Sequence, residues 1–161
     1  MADGMEGADW PWSMIVRELP LDECKTALST AKFGRLACAH ENQPFIVPVH
    51  FAADGDYVYF FSMPGQKIDW MRQNPRVCLE LDAVSSQEDW TSIVVLGTYE
   101  ELLDTPEHQE DRRHALELLQ VRPMWWEPSA VLPASHADRE GAAPVVYRVR
   151  VEQLSGRRGA P

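Results

Sequence analysis

Cysteine is sparse here. Cys24, Cys38 and Cys78 are odd in number and share no CxxC spacing. That excludes a disulfide framework and a thiolate zinc site, and it predicts reduced, mostly buried thiols. Positive charge is also in deficit: 15 Lys and Arg stand against 25 Asp and Glu, a formal charge of −10. A field of that sign repels polyanions, so nucleic acid is not an expected partner. Long apolar runs are absent too. None approaches the roughly 20 residues that a membrane-spanning helix needs, and no membrane association is expected. The start, MADGMEGADW, is acidic and lacks a basic stretch followed by an apolar one. It predicts no secretory signal and a cytoplasmic location.

Several catalytic motifs are missing as well. His40, His50, His108, His114 and His136 are scattered, with no HExxH and no Cys/His pairs at ligand spacing. His40 and His50 flank a hairpin, but two ligands do not close a zinc site, and no metal is expected. Without GxSxG there is no serine-hydrolase elbow, and without GxGxxG no Rossmann phosphate turn.

What is present suits one β-rich domain, since 161 residues can bury their own core. In LPLDECKTALSTAKFG, Leu21, Cys24, Leu28 and Ala31 recur at helical spacing, with Asp22 placed to cap and Gly34 to end the helix. The pattern then turns to strands: RLACAH, PFIVPVHFAA, YVYFFS, RVCLELDA, WTSIVVLGTYEELL and VVYRVRVEQL. Asp54-Gly55 between two of these runs is a hairpin signal. Pro48 inside a run marks an edge or a bulge, and Gly97 marks a bend. A second helix follows Pro64, with Ile68 and Met71 on its buried side and Pro75 as its stop. A third follows Thr105, the expected cap, with Arg112, Ala115, Leu116 and Leu119 on one face. The expectation is a mainly β antiparallel barrel of six strands over residues 19–155. A loose arm, residues 1–18, precedes it and a tail, 156–161, follows.

One junction asks for more than a fold. Residues 62–67, SMPGQK, carry a strand end into a helix start. A helix start exposes unpaired N–H groups with partial positive charge. Gly65 lets backbone approach an anion, while Ser62, Gln66 and Lys67 add a hydroxyl, an amide and a full charge. On spacing alone the junction reads equally as a serine-capped helix with a surface lysine.

A longer stretch separates the two readings. QPFIVPVHFAADGDYVYFFSMPGQKIDWMRQNPRVCLELD resembles the pyridoxamine 5′-phosphate oxidase-like family of flavin-binding split barrels. Its layout is P-x-V-x-P-V-x-F, an Asp-Gly hairpin, Y-F-x-S, G-x-K and N-P-R-V. WTSIVVLGTYEEL looks like that family's later strand, and WWEP is similar to a tail of one branch, related to nitroimidazole reductases. The likeness covers roughly residues 20–128.

It implies a homodimer of six-stranded split barrels with FMN in clefts between subunits. The phosphate would lie by Ser62 and Lys67, at the strand end Phe61-Ser62. Gln66 stands where the oxidase proper has a second basic residue. The flavin ring would follow the backbone of Val47, Pro48 and Val49, with His50 behind. Ser92 and Trp90 open a strand expected near the cofactor, and Trp126, beside Trp125, lies in a loop able to cover the pocket. The basic residues that close on pyridoxamine phosphate are not found. The implied activity is therefore a flavin-dependent oxidoreductase acting on another small, aromatic or nitro-containing substrate. The alternatives are a flavin-binding module without turnover, or a split barrel holding haem or a deazaflavin. Haem would need His40, His50 or His136 as its axial ligand.

Overall fold

Apolar–polar alternation in the chain becomes eight described strands in one antiparallel sheet. They are β1 Ile15–Glu18, β2 Phe33–His40, β3 Gln43–His50, β4 Ala52–Asp54, β5 Tyr57–Ser62, β6 Arg76–Val84, β7 Trp90–Glu101 and β8 Val145–Ala160. Three helices interrupt them: α1 Leu21–Thr30, α2 Gln66–Gln73 and α3 Gln109–Gln120. The structure is a computed structural model and describes residues 15–120 and 143–160.

Strand order explains the shape. The sheet runs β3-β2-β6-β7-β8-β5-β4, with β1 beside the end of β8. Its two outer strands, β3 and β4, are consecutive pieces of one stretch with only Phe51 between them. The ribbon must therefore curl until its ends approach, and Phe51 sits fully buried at that corner. Closure by chain continuity instead of a complete ladder is what makes a split barrel. Inside lie Leu36, Val49, Phe60, Leu79, Val95 and Tyr147. The Phe60 and Tyr147 rings stack with centroids 4.9 Å apart and planes 2° from parallel.

The helices cover what the curl leaves open. α1 buries Cys24 and Leu28 at one end of the barrel. α3 lays Ala115 and Leu116 over Tyr59 and Val146, on the outer side of β5 and β8. Arg112 donates a 2.8 Å hydrogen bond to the Leu102 carbonyl.

Several expectations shift. Eight strands replace six because β3 and β4 divide one expected strand at Phe51, and β1 is added. β1 pairs Ile15–Glu18 with Arg157–Ala160, so ordered sheet extends past both expected boundaries, at 18 and at 155. GRRGA has no strand-like pattern; a neighbouring strand supplies its ladder. Asp22 does not cap α1, whose first flanking residue is Pro20, and the helix ends at Thr30 with Ala31 as its C-cap. Gly34 instead belongs to β2, where a Cβ would lie 2.5 Å from the Glu80 carbonyl oxygen. α3 begins at Gln109, beyond the expected Thr105 cap. Gly97 does mark an irregularity: the β7–β8 register slips between Leu96 and Gly97.

Candidate functional site

β5 leaves the barrel at Ser62 and the chain turns through Met63, Pro64 and Gly65 into α2. Ser62 is buried and pairs with Val145 of β8. Its hydroxyl donates to the Met63 carbonyl oxygen at 3.1 Å, so it does not cap the helix. Gly65 holds the cap position and, having no side chain, supplies no cap hydrogen bond. By the geometry of any α-helix its first amides have no partner within it. Lys67 is half-buried on the first turn, and Gln66 is exposed.

Gly65 is the informative residue. Its φ of 176° is extended backbone open to any residue. A Cβ built there meets nothing within 4 Å. Nothing among the described residues therefore requires glycine, and the space before the helix start is open. Gly65→Ala is expected to leave stability within about 0.5 kcal/mol of the parent, measured by urea unfolding. Its methyl would stand in the path of the expected phosphate, so flavin affinity should fall while folding does not. Parent-like flavin affinity in that variant would remove this corner from the site.

Packing fixes the corner. Trp70 wedges between His40 and Phe45, with ring centroids 5.6 Å from each, and so anchors α2 on the β2–β3 hairpin. Asn74 adds a 3.0 Å hydrogen bond from its side-chain amide to the Ala39 carbonyl. This brings the Lys67 charge near Cys38. Burial raises the Cys38 thiol pKa, and Lys67 opposes that rise. Trp70 and Asn74 were passed over in the sequence, since neither belongs to an anion-binding pattern.

β3 is the edge beside this corner. Pro44 and Pro48 pair with Ala39 and Arg35 in a ladder unbroken from Phe33↔His50 to His40↔Gln43. Both prolines have the same parity, and an unbroken ladder requires that their missing amides belong to the outward side. Pro48 is thus an edge residue without a bulge, and its carbonyl points to the free edge. Val47 and Val49 direct their backbone groups to β2. Their side chains face the core, where Val49 is fully buried, as is His50 beside it.

The remaining expected residues are not gathered in one chain. Phe61 packs with the group under α3, on the opposite face from Ser62. Ser92 donates a 3.4 Å hydrogen bond to Glu80 on the outer face. It pairs with Arg157 near the end of β8, whereas Ser62 pairs with Val145 at its start. A concavity of about 620 Å³ lies at Ser92, Trp90 and Arg157, away from the Ser62–Lys67 corner. Trp126 lies outside the described residues. Among those residues, no cluster of His, Cys, Asp and Glu is arranged to hold a metal, and no helix is long and apolar enough to cross a membrane.

Barrel and corner together define a split-barrel protein with an open strand-to-helix junction after its fifth strand. The profile described as pyridoxamine 5′-phosphate oxidase matches residues 20–158. The chain belongs to that family. An uncharacterised protein of Rhizobium meliloti (strain 1021) is 40% identical over 144 residues, which span 89% of this chain and 95% of that one. The crystal structure of an FAD-binding protein from Mesorhizobium loti is also 40% identical, with a TM-score of 0.76. That match covers 92% of this chain and 99% of the other. The FAD-binding protein of Mycobacterium smegmatis, 23% identical, has the same fold with a TM-score of 0.62. There the coverage is 89% of this chain and 98% of the other.

Proposed function

We propose that this chain binds a flavin nucleotide with its phosphate at the Ser62–Lys67 corner. We further propose that it works as a flavin-dependent oxidoreductase on a small aromatic or nitro-containing molecule. The observation that carries the reading is the start of α2, where Gly65 in the cap position leaves open space among the described residues beside the Lys67 charge. FMN and FAD share the phosphate ester this corner suits. The sequence leads to FMN, while the 40% identical Mesorhizobium loti relative is an FAD-binding protein. A bound flavin would supply the electron transfer itself.

The chain's part is binding and placement. Lys67 and the first amides of α2 neutralise the phosphate, each charge-assisted bond contributing roughly 1.5–3 kcal/mol. Gln66 contributes an amide where the oxidase proper has a further charge, which lowers retention of the nucleotide. The outward carbonyl of Pro48 offers an acceptor to a donor on the flavin ring edge. His50, buried behind β3, is the expected side chain that would relay a proton if it reaches the ring edge.

Purified protein denatured and chromatographed against FMN and FAD standards identifies any carried flavin. Fluorescence titration of protein stripped of flavin with each nucleotide then gives the affinities. Failure of both to bind ends the reading. Anaerobic mixing of the flavin-loaded protein with NADH or NADPH tests the enzymatic half. Bleaching of flavin absorbance near 450 nm, on the order of what free flavin shows on reduction, supports turnover. Binding with no reduction by either donor would leave a flavin carrier and overturn the oxidoreductase assignment.

A further inference from the structure

β1 lies beside the last residues of β8 with all four of its side chains, Ile15 to Glu18, exposed. A strand without a buried face is held by its ladder and by the side chains across from it. On one face Glu18 stands opposite Arg157, a favourable pairing of unlike charges. On the other face Arg17 stands opposite Arg158. Side chains so placed have Cβ atoms roughly 4.5–5.5 Å apart, and like charges there are destabilising. In a chain of formal charge −10, two cations have thus been set side by side.

Nothing nearby compensates them. Thr91 continues the row on β7, opposite Arg158. Nε of Arg158 donates to the Thr91 hydroxyl oxygen at 3.5 Å, which leaves its two terminal nitrogens for another acceptor. The neighbours one step along this face are Ile15, Leu19, Gly156, Ala160 and Ile93, and none is acidic. Among the described residues neither arginine forms an ion pair, with Asp89 before β7 or with any other carboxylate. The row continues the core side of the sheet, since a Cβ at Gly156 would meet Ile93 and Cys24. It therefore faces away from Ser92 and Arg157, and it lies at the other end of β8 from the Ser62–Lys67 corner.

Two guanidinium groups and a hydroxyl on three adjacent strands call for a compact anion with several acceptor oxygens, which is the chemistry of a phosphate group. The negative field of the whole chain excludes a polyanion there. We propose that Arg17, Arg158 and Thr91 bind a phosphate group, free or on a small monoester, and that this ligand fastens β1 to β8. The site is separate from the flavin corner and stands whether or not that corner is occupied.

Hydrogen–deuterium exchange of the full chain, read at residues 15–18 and 157–160, is the test. Inorganic phosphate is titrated against sodium chloride of equal ionic strength. Phosphate is expected to slow exchange in both segments, and to do so equally in Lys67→Ala, where the flavin corner has lost its charge. Arg17→Ala and Arg158→Ala should each weaken phosphate binding at least about tenfold, the loss of one charge-assisted bond. Arg17→Glu puts a carboxylate where the phosphate would lie, so its exchange should be slow without phosphate and indifferent to it. Both arginines are exposed, and far-UV circular dichroism should stay that of the parent. Glycerol phosphate separates the two sources: tighter binding than inorganic phosphate identifies a monoester, weaker binding the free ion, and either supports the site. Slowing that chloride reproduces is general screening and overturns the proposal. So does a phosphate response that is absent, that Lys67→Ala removes, or that survives both alanine variants.

Discussion

Gly97→Val is expected to unfold this protein or to lower its urea midpoint by the equivalent of more than about 3 kcal/mol. A Cβ at position 97 would lie 2.3 Å from the Arg150 carbonyl oxygen and 2.6 Å from Cγ1 of Val149. The first neighbour is backbone of β8 and cannot rotate away. The second is a fully buried side chain of the barrel interior. The clash falls where Leu96 pairs with Gln153 and Gly97 with Val151, so Glu152 is the extra residue that bends β8. Relief would require parting the two central strands, which carry the longest ladder in the sheet. Since a domain of this size is stable by only about 5–15 kcal/mol in total, such a loss is a large share. Gly65→Ala is the internal control, because a Cβ there meets open space. If Gly97→Val melts at the parent's midpoint, β7 and β8 do not approach as described.

Lys67→Ala is expected to weaken flavin binding roughly tenfold to a hundredfold, the loss of one charge-assisted phosphate bond of about 1.5–3 kcal/mol. Fluorescence titration gives the affinity, and the thermal midpoint of the flavin-free protein should remain near the parent's. The lysine is half-buried on an exposed turn and fills no part of the core. The loss should shrink as ionic strength rises in the parent titration, because salt screens the same interaction. Ser62→Ala is the weaker companion: its hydroxyl is already bonded to the Met63 carbonyl and must turn to reach a phosphate. If both variants bind flavin as tightly as the parent, the phosphate lies elsewhere. The outer concavity of Trp90, Ser92 and Arg157 then becomes the place to look.

Much of the fold was legible because it rests on local pattern. The hairpin at residues 40–43 was readable from ENQ between apolar runs, and in the structure Glu41 and Asn42 turn with φ of 49° and 62°. Proline positions were equally readable: Pro75 stops α2, and Pro48 lies on an edge strand. The SMPGQK junction was visible for the same reason, since strand end, glycine and helix start are contiguous. β1 and its partner Arg157–Ala160 were not legible. Neither segment alternates, and each is a strand only because the other is alongside. Phe61 was grouped with Ser62 by adjacency, yet adjacent strand residues face opposite ways, and Phe61 belongs under α3. Ser92 was joined to the corner through likeness to a family layout; in this chain the length of β8 separates them.

The linear order of residues settled six of the strand segments and where the chain turns, and it singled out SMPGQK as the stretch expected to meet an anion. Those properties depend on neighbours a few positions apart. Tertiary structure decided which strands lie at the sheet's two ends and that Phe51 joins them. It also decided that Arg17, Arg158 and Thr91 line up on one face. Those facts follow from register between distant segments, and register is fixed only when one face of every strand is buried together in a common core.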